Sequence, residues 1–194
     1  EYAKNNKTKF IFNLSTVSIY GKIENSHLTE DYVPKRQDDL GLTKYFGELL
    51  LFNASINYIN IRLPGVLTSS QNFSRPWIKT TIKKIKNNKS LNLFNYKSKF
   101  NNLIDTHEIV NFIEFFLKKK LFKKKIKKTF NLAASKPITM EKIIKMIKKY
   151  YLSTSKEIIR KNPSKSYTID VSKIYKNYGF YPSTTKNILK RNLL

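Results

Sequence analysis

The residue types that most often carry metal, thiol or disulfide chemistry are scarce in this chain. Its 194 residues include no cysteine and only two histidines, His27 and His107. The lack of cysteine excludes disulfides and cysteine-ligated metals. Two isolated histidines do not make a metal site, so no bound metal is expected.

Basic residues greatly outnumber acidic ones. The chain has 38 lysines and arginines against 13 acidic residues, which gives a formal net charge of +25. Taken alone, this excess indicates nucleic acid or an anionic membrane surface as a partner. The lysines are spread along the whole sequence, however, and no arginine cluster, RNA-binding aromatic motif or Cys/His finger accompanies them. A basic nucleic-acid-binding protein is therefore the less favoured alternative, and no nucleic acid is expected as a partner.

The sequence shows no sign of a membrane-spanning segment or of a signal peptide. There is no run of 18 apolar residues, and the first residues lack the basic and then apolar layout of a signal peptide. We therefore expect no membrane insertion and a cytoplasmic location. The chain begins with Glu1 rather than methionine, which leads us to expect further sequence upstream.

The first third of the chain predicts a strand, a helix and a second strand. Lys9–Leu14 forms the first strand, and a long polar loop follows it. Asp38 or Asp39 can cap a helix that runs to about Asn53, and Pro64 and Gly65 end the second strand, 58–63. The two strands are expected to be parallel neighbours. The apolar positions of the helix form a broad stripe: Leu42, Tyr45, Phe46, Leu49, Leu50 and Phe52.

Shorter elements follow and favour a mixed α/β segment. Helices are predicted over 77–87, 105–119, 139–151, 171–178 and 184–192, and strands over 91–94, 130–133 and 157–160. The five glycines are so far apart that the glycine-rich turn of a dinucleotide-binding fold does not occur.

Six segments, in order, resemble one enzyme family. They are the strand and Tyr-Gly turn of 12–21, the helix start 40–48, the strand exit 62–66, the segment 102–109, the Phe-Asn-Leu and Pro-Ile-Thr pieces of 130–139, and the closing stretch 178–183. These segments resemble the extended short-chain dehydrogenases/reductases, the NAD-dependent epimerase/dehydratase family. Each motif is weak alone, but their order across nearly the whole chain is specific.

The resemblance implies an α/β fold: the C-terminal part of a doubly wound Rossmann-type sheet plus a small mixed α/β substrate domain. Residues 1–66 would be the partial dinucleotide-binding domain. Residues 67–194 would be mostly the substrate-binding domain, with some elements returning to the Rossmann sheet. The N-terminal half with the glycine-rich turn, on the order of 100 residues, would be missing.

The same resemblance implies a site that acts on a sugar nucleotide with NAD or NADP as the cofactor. Thr16 and Lys44 take the catalytic positions of the family, where a hydroxyl holds the reacting oxygen and a lysine lowers the pKa of a tyrosine. Lys44 and the strand exit Pro64, Gly65 and Val66 would contact the cofactor. Arg75 and Asn101 would contact the substrate. The expected reaction is epimerisation, dehydration or reduction, with hydride transfer at a sugar carbon.

One position departs from the family pattern. The residue four places before Lys44, where the family carries its proton-transferring tyrosine, is Leu40. Leucine cannot transfer a proton, so a catalytically degenerate family member is the alternative, unless Tyr20 or Tyr32 approaches the site. Relatives often dimerise through the helix that carries the lysine, and a homodimer through the Lys44 helix is therefore possible.

Overall fold

The computed structural model describes residues 2–68, 76–161 and 165–193. Its helices are α1 (Tyr2–Asn5), α2 (Asp39–Asn53), α3 (Pro76–Lys86), α4 (Thr106–Lys118), α5 (Met140–Tyr150), α6 (Ser172–Tyr178) and α7 (Thr185–Leu193). Its strands are β1 (Phe10–Thr16), β2 (His27–Leu28), β3 (Asn57–Leu63), β4 (Gly65–Leu67), β5 (Leu91–Phe94), β6 (Lys99–Phe100), β7 (Leu103–Asp105), β8 (Lys127–Asn131), β9 (Ile138–Thr139), β10 (Glu157–Arg160) and β11 (Thr168–Ile169). Short 3-10 helices follow β1 (Val17–Tyr20) and α4 (Leu121–Lys123).

The centre of the fold is a parallel sheet in the order β1-β3-β8. Phe10 pairs with Asn57 and Thr16 with Leu63, so β1 and β3 run side by side and end together. The prediction that these strands are parallel neighbours, connected through a helix, is confirmed. On the other side of β3, Tyr58 to Arg62 pair with Lys127 to Asn131 of β8. A strand from the later part of the chain thus completes this sheet.

The two faces of the sheet differ in polarity. Ile59 and Ile61 of β3 and Phe130 of β8 are fully buried on one face, against Phe112 and Phe116 of α4. On the other face, Asn13 donates to Asn60 at 2.9 Å, and Asn60 donates to Thr129 at 3.1 Å. A parallel sheet covered on both sides usually carries apolar residues on both faces. Here the second face is held by hydrogen bonds across the strands instead.

Helix α2 covers this polar face and turns its apolar side chains outward. Only Gly41 and Glu48 of α2 are buried. Leu42, Phe46, Leu50 and Phe52 are 58–67% exposed. An apolar stripe on the helix of a globular protein ordinarily faces the core. The stripe predicted for this helix therefore exists, but all of it except the half-buried Tyr45 faces solvent.

The rest of the chain forms small two-stranded pairs around a shared core. β5 with β10, β4 with β7 and β2 with β11 are parallel, and β6 with β9 is antiparallel. The core continues from the sheet into α3, α5 and α7, through Ile78, Ile144 and Ile188. Most predicted helices and strands are present, with bounds that move by one or two residues. The strand predicted over 130–133 begins earlier, at Lys127, and ends at Asn131.

The segment between β1 and α2, predicted as a loop, contains the 3-10 helix and β2. Gly21 has a φ of +62°, and an added Cβ would lie 2.0 Å from the carbonyl oxygen of Lys35. Glycine is therefore required where the chain turns back on itself. β2 pairs with β11, which ties this segment to the C-terminal part of the chain. Within the described residues, no helix has both the length and the apolar character needed to cross a membrane.

Candidate active site

The candidate site lies at the carboxyl ends of β1 and β3. Thr16 is the last residue of β1, and its register partner Leu63 is the last residue of β3. The Thr16 hydroxyl oxygen accepts a hydrogen bond from the amide of Ser18 at 3.2 Å and so caps the 3-10 helix that follows. One hydroxyl can both accept from this amide and donate to a ligand. The structure therefore leaves Thr16 able to do what the sequence predicts for it.

Lys44 reaches the same end of β1 from α2. Its Nζ donates to the main-chain oxygen of Leu14 at 3.0 Å. The ammonium group has three donors, and this bond uses one of them. Lys44 is thus bound to β1 two residues before Thr16, and two of its N–H donors are left for other acceptors.

The start of α2 is held close to the end of β1 by two features. Asp38 caps the helix, because its carboxylate accepts from the amide of Gly41 at 2.7 Å. Gly41 itself packs against the 3-10 helix, where an added Cβ would lie 2.4 Å from the carbonyl oxygen of Ser18. Any larger residue at position 41 would push the helix, and Lys44 with it, away from the sheet.

Pro64, Gly65 and Val66 continue directly from the end of β3. Because Leu63 is level with Thr16, Pro64 follows at the same edge of the sheet. Gly65 and Val66 then begin β4 and pair with Leu103 and Ile104 of β7. The strand exit is therefore held by the pairing of β3 before it and by the pairing of β4 after it. It begins next to Thr16, at the carboxyl edge of the sheet.

Neither Tyr20 nor Tyr32 takes the place of the tyrosine that the family resemblance implies at position 40. Leu40 is 55% exposed in the first turn of α2. The Tyr20 side chain is fully buried, where its hydroxyl donates to Asn131 at 2.7 Å, and burial raises its pKa to about 12. The Tyr32 hydroxyl donates to the carbonyl of Lys22 at 3.0 Å and accepts from the amide of Glu24. Both hydroxyls are held in the structure, so the idea that either approaches the site is not supported.

A buried polar network under α2 was not foreseen from the sequence. Arg62 of β3 donates from Nε and Nη2 to both carboxylate oxygens of Glu48, at 3.1 and 2.7 Å. Its Nη1 donates to the Tyr20 hydroxyl at 2.9 Å and to the carbonyl oxygen of Glu30 at 3.1 Å. Burial opposes the positive charge of Arg62, but its bonds to Glu48 and Tyr20 more than offset this and raise its pKa. The four groups are separated by up to 42 positions in sequence, and their pairing follows only from the fold.

The network continues across the sheet to β8. Ser15, Arg62 and Asn131 are register partners and so project from the same face. The main-chain N–H of Asn131 donates to the Glu30 carboxylate at 2.8 Å. Burial raises the pKa of Glu30. Ser15 Oγ and Asn131 Nδ2 are buried and find no hydrogen-bond partner among the described residues.

A cavity of about 540 Å³ lies in the second part of the chain. Aromatic, amide and lysine side chains line it, among them Trp77, Phe94, Phe100, Asn102, Lys84, Lys99 and Lys165. No acidic residue is among its described lining residues. Flat apolar surfaces next to cationic groups are suited to a ligand that carries both a ring and a phosphate.

Of the two residues predicted to contact the substrate, the structure describes Asn101 but not Arg75. Asn101 is 1% exposed, and its side-chain amide donates to the carbonyls of Ala134 and Ile169 at 2.8 and 2.9 Å. Its Oδ1 accepts from the amide of Ile169. A substrate contact would cost Asn101 these bonds, so its substrate role stays a prediction. Arg75 lies outside the described residues.

One acidic cluster in the described part of the chain has ligand atoms close enough for a metal. The ligand atoms of Asp105, His107 and Glu108 lie within 4.8 Å of one another. Both carboxylates, however, accept from Arg191, at 2.8 and 3.1 Å. Glu108 also accepts from the amide and hydroxyl of Ser183. The cluster therefore joins the start of α4 to the end of the chain, and its carboxylates are already occupied.

Solved structures share this fold at low sequence identity. A UDP-glucuronic acid 4-epimerase from Bacillus cereus in complex with NAD is 22% identical, with a TM-score of 0.75, over 96% of this chain and 60% of that one. A UDP-glucose 4-epimerase from Thermotoga maritima with UDP-glucose is 14% identical, with a TM-score of 0.75, over 98% and 64%. A dTDP-glucose 4,6-dehydratase from Bacillus anthracis in complex with NAD is 14% identical, with a TM-score of 0.74, over 99% and 63%.

These likenesses define the class of fold. The chain has the Rossmann-type α/β fold of sugar-nucleotide epimerases and dehydratases, and it spans 60–64% of the length of these three neighbours. No family model matches the sequence. A search of curated proteins also gave no match.

Proposed function

We propose that the chain is part of an NAD(P)-dependent enzyme that acts on a sugar nucleotide by epimerisation, dehydration or reduction. The observation that carries this proposal is the position of Thr16 and Pro64 at the carboxyl ends of two adjacent parallel strands, with Lys44 bound to the Leu14 carbonyl of the first strand. Ligands of open α/β sheets bind outside these strand ends. The structural neighbours with NAD support the same assignment, although the likeness to them is one of fold.

The residues at this edge fit a nicotinamide cofactor. Lys44 has two ammonium donors beyond its bond to Leu14, which suits the ribose hydroxyls. Pro64, Gly65 and Val66 would line the nicotinamide side. When bound, NAD or NADP would supply the hydride acceptor or donor for a sugar carbon. The phosphates would need the N-terminal half of the fold, so residues 1–66 would be only part of the cofactor domain.

Thr16 would hold the reacting oxygen of the sugar. Its hydroxyl can donate to a carbonyl or accept from a hydroxyl while it keeps its bond to Ser18. Lys44 would favour a negative charge on a neighbouring oxygen. Neither side chain is a proton donor of the kind that the family tyrosine provides, and Leu40 supplies none.

The cavity in residues 67–194 would take the nucleotide part of the substrate. Its aromatic lining would stack on the base, and Lys84, Lys99 and Lys165 would face the diphosphate. This charge could replace the arginine contact that the family places at position 101, because Asn101 is committed to the main chain. Sugar-nucleotide binding is thus compatible with the loss of that arginine.

The exposed face of α2 supports a homodimer. Leu42, Phe46, Leu49, Leu50 and Phe52 are all exposed, whereas Glu48 and Gly41 are buried. A large exposed apolar patch on a soluble protein marks an interaction surface. A second copy of the chain is the partner that the family resemblance implies.

Titration with uridine diphosphate tests the substrate part of the proposal. We expect Lys84→Ala to weaken binding about tenfold or more, because it removes a charge-assisted contact to phosphate. Lys83→Ala is the matched control, since Lys83 is one residue away and does not line the cavity. Equal affinity of both variants and the wild type would reject the cavity as the nucleotide site.

A catalytically degenerate protein is the second candidate. Leu40 favours it, because this exposed leucine stands where the family tyrosine transfers a proton, and Tyr20 and Tyr32 are engaged elsewhere. Such a protein would bind the cofactor and the sugar nucleotide but turn over slowly. Turnover of a sugar nucleotide by the unaltered protein at ordinary enzymatic rates, of about 1–1000 per second, would exclude this candidate.

A further inference from the structure

Helix α2 is attached to the sheet mainly by polar contacts. Most of its apolar side chains are exposed, and the covered face consists of Gly41, Lys44, Tyr45, Glu48 and Leu51, of which Tyr45 and Leu51 are half-buried. Of these, only Gly41 and Glu48 are fully buried. The free energy that holds this helix in place therefore cannot come from an ordinary apolar stripe.

The buried pair Glu48–Arg62 is the strongest of these contacts. Glu48 is 5% exposed and Arg62 is 7% exposed, and the two side chains meet through both carboxylate oxygens. Arg62 is in turn fixed by the Tyr20 hydroxyl and the Glu30 carbonyl. Its partners lie on α2, on the 3-10 helix after β1 and in the turn at Glu30, so Glu48 is held at one orientation relative to β3.

Positions 40, 44 and 48 lie one turn apart on α2. Residues four apart on a helix share a face, so a fixed Glu48 also fixes the rotation of the helix at Lys44 and at position 40. Within the described part of the chain, the Lys44 side chain makes one hydrogen bond to the sheet, to the Leu14 carbonyl. The Asp38 cap and Gly41 hold the start of the helix, and Glu48 holds it beyond Lys44.

We infer that Glu48 and Arg62 are positioning residues, which hold Lys44 and position 40 at the carboxyl ends of β1 and β3. They act through α2 and touch neither the cofactor nor the substrate. The importance of Lys44 rests on the proposed function, but the placement of the helix can be measured without any ligand. A failure of one idea therefore does not imply a failure of the other.

Hydrogen exchange of Glu48→Gln tests the inference. The amide of glutamine keeps the shape but loses the charge, so Arg62 is left buried without its counter-ion. We expect the α2 amides to exchange about tenfold faster or more, while those of α4 change less than twofold. Glu114→Gln is the control, because Glu114 is 53% exposed and pairs with Lys118 on α4. It should leave α2 unchanged.

A ¹⁹F label on α2 reports the position of the helix, and a general loss of stability would not change its signal in the folded protein. Since the chain has no cysteine, Leu40→Cys gives a single thiol for a trifluoromethyl group. Its ¹⁹F resonance should shift in folded Glu48→Gln and stay in place in Glu114→Gln. Arg62→Lys, which keeps the charge but loses the two-pronged geometry, should give a smaller shift in the same direction.

Two results would overturn the inference. One is an unchanged ¹⁹F signal and unchanged α2 exchange in folded Glu48→Gln. The other is an increase in exchange that is equal in α2 and α4, because the pair would then support the whole fold rather than one helix. If Glu48→Gln does not fold, Glu48→Asp takes its place with the same expectations, and loss of folding in both variants counts against the inference.

Discussion

Lys44 Nζ lies 3.0 Å from the main-chain oxygen of Leu14 and so joins α2 to the end of β1. The contact ties a cation to β1 two residues before Thr16, near the edge where a doubly wound sheet binds its ligand. The same edge receives Pro64 from β3. The site proposed for the cofactor therefore combines the end of β1, the lysine of α2 and the segment that follows β3. A different set of contacts holds each of these three parts in place.

Leu40→Tyr tests whether the missing tyrosine is the only defect of the site. Leu40 is 55% exposed, so the change should alter the free energy of unfolding by no more than about 0.5 kcal/mol. Lys44, one turn away, would lower the pKa of the new phenol because a nearby cation favours the phenolate. We expect a gain of sugar-nucleotide turnover over the unaltered protein. Leu50→Tyr, at the exposed far end of the helix, is the control and should gain none.

Phe46→Lys tests the role of the outward face of α2. Phe46 is 62% exposed, and a lysine there would place a charge in the middle of the apolar patch. If the patch is a homodimer interface, sedimentation should show a change from dimer to monomer. Lys149→Ala on α5 is a surface control and should leave the mass unchanged. A monomeric wild-type protein at all concentrations would contradict the dimer.

Leu152→Gly should stabilise the protein. Leu152 follows α5 with a φ of +48°, a left-handed conformation that glycine adopts at little cost, and its side chain is 87% exposed. The amide of Ser153 donates to the Lys148 carbonyl, as expected at such a helix end. We expect a gain of about 0.5–1 kcal/mol in the free energy of unfolding, measured by urea denaturation. Tyr150→Gly, at the last residue of α5, should instead lower it by up to about 1 kcal/mol.

Glu141 should contribute to acid sensitivity. Its hydrogen bonds with Lys145 and Lys97 lower its pKa from 4.5 to about 2. Because the folded-state pKa is depressed, the stabilisation is present above pH 4.5 and is lost as the pH falls towards 2. Glu141→Gln should therefore lose less stability than the wild type over this range, as thermal unfolding at several pH values would show. Salt should reduce the difference, since the group is at the surface.

Much of the fold could be predicted from the sequence because its signals are local. The Asp38 cap and the Pro64–Gly65 stop gave the bounds of α2 and β3 to within one residue. Strands of two or three residues, such as β2 and β11, carry too few positions for a hydrophobic pattern and were missed. The outward stripe of α2 could not be foreseen, because its polar underside depends on Arg62 and Tyr20.

The candidate site was only partly predictable for the same reason. Thr16, Lys44 and Pro64 could be picked out from motifs; the strand register places Thr16 level with Leu63, just before Pro64, and Lys44 reaches β1 through its bond to the Leu14 carbonyl. Asn101 could not be recognised as an interior residue, because its bonds to Ala134 and Ile169 span 33 and 68 positions. Glu48 and Arg62 were not singled out, because their pairing depends on the fold. A glutamate one turn after a predicted catalytic lysine, together with an arginine in a buried strand, is the pattern that could have indicated the pair.

Cofactor binding by the protein, expressed at the full length that its gene encodes, is the most direct test of the central claim. Calorimetric titration with NAD and NADP should give binding of at least one of them, and Lys44→Ala should weaken it by about tenfold or more, while Lys149→Ala leaves it unchanged. Absence of binding of both dinucleotides to the folded full-length protein would contradict the account, as would equal affinity of the wild type and Lys44→Ala.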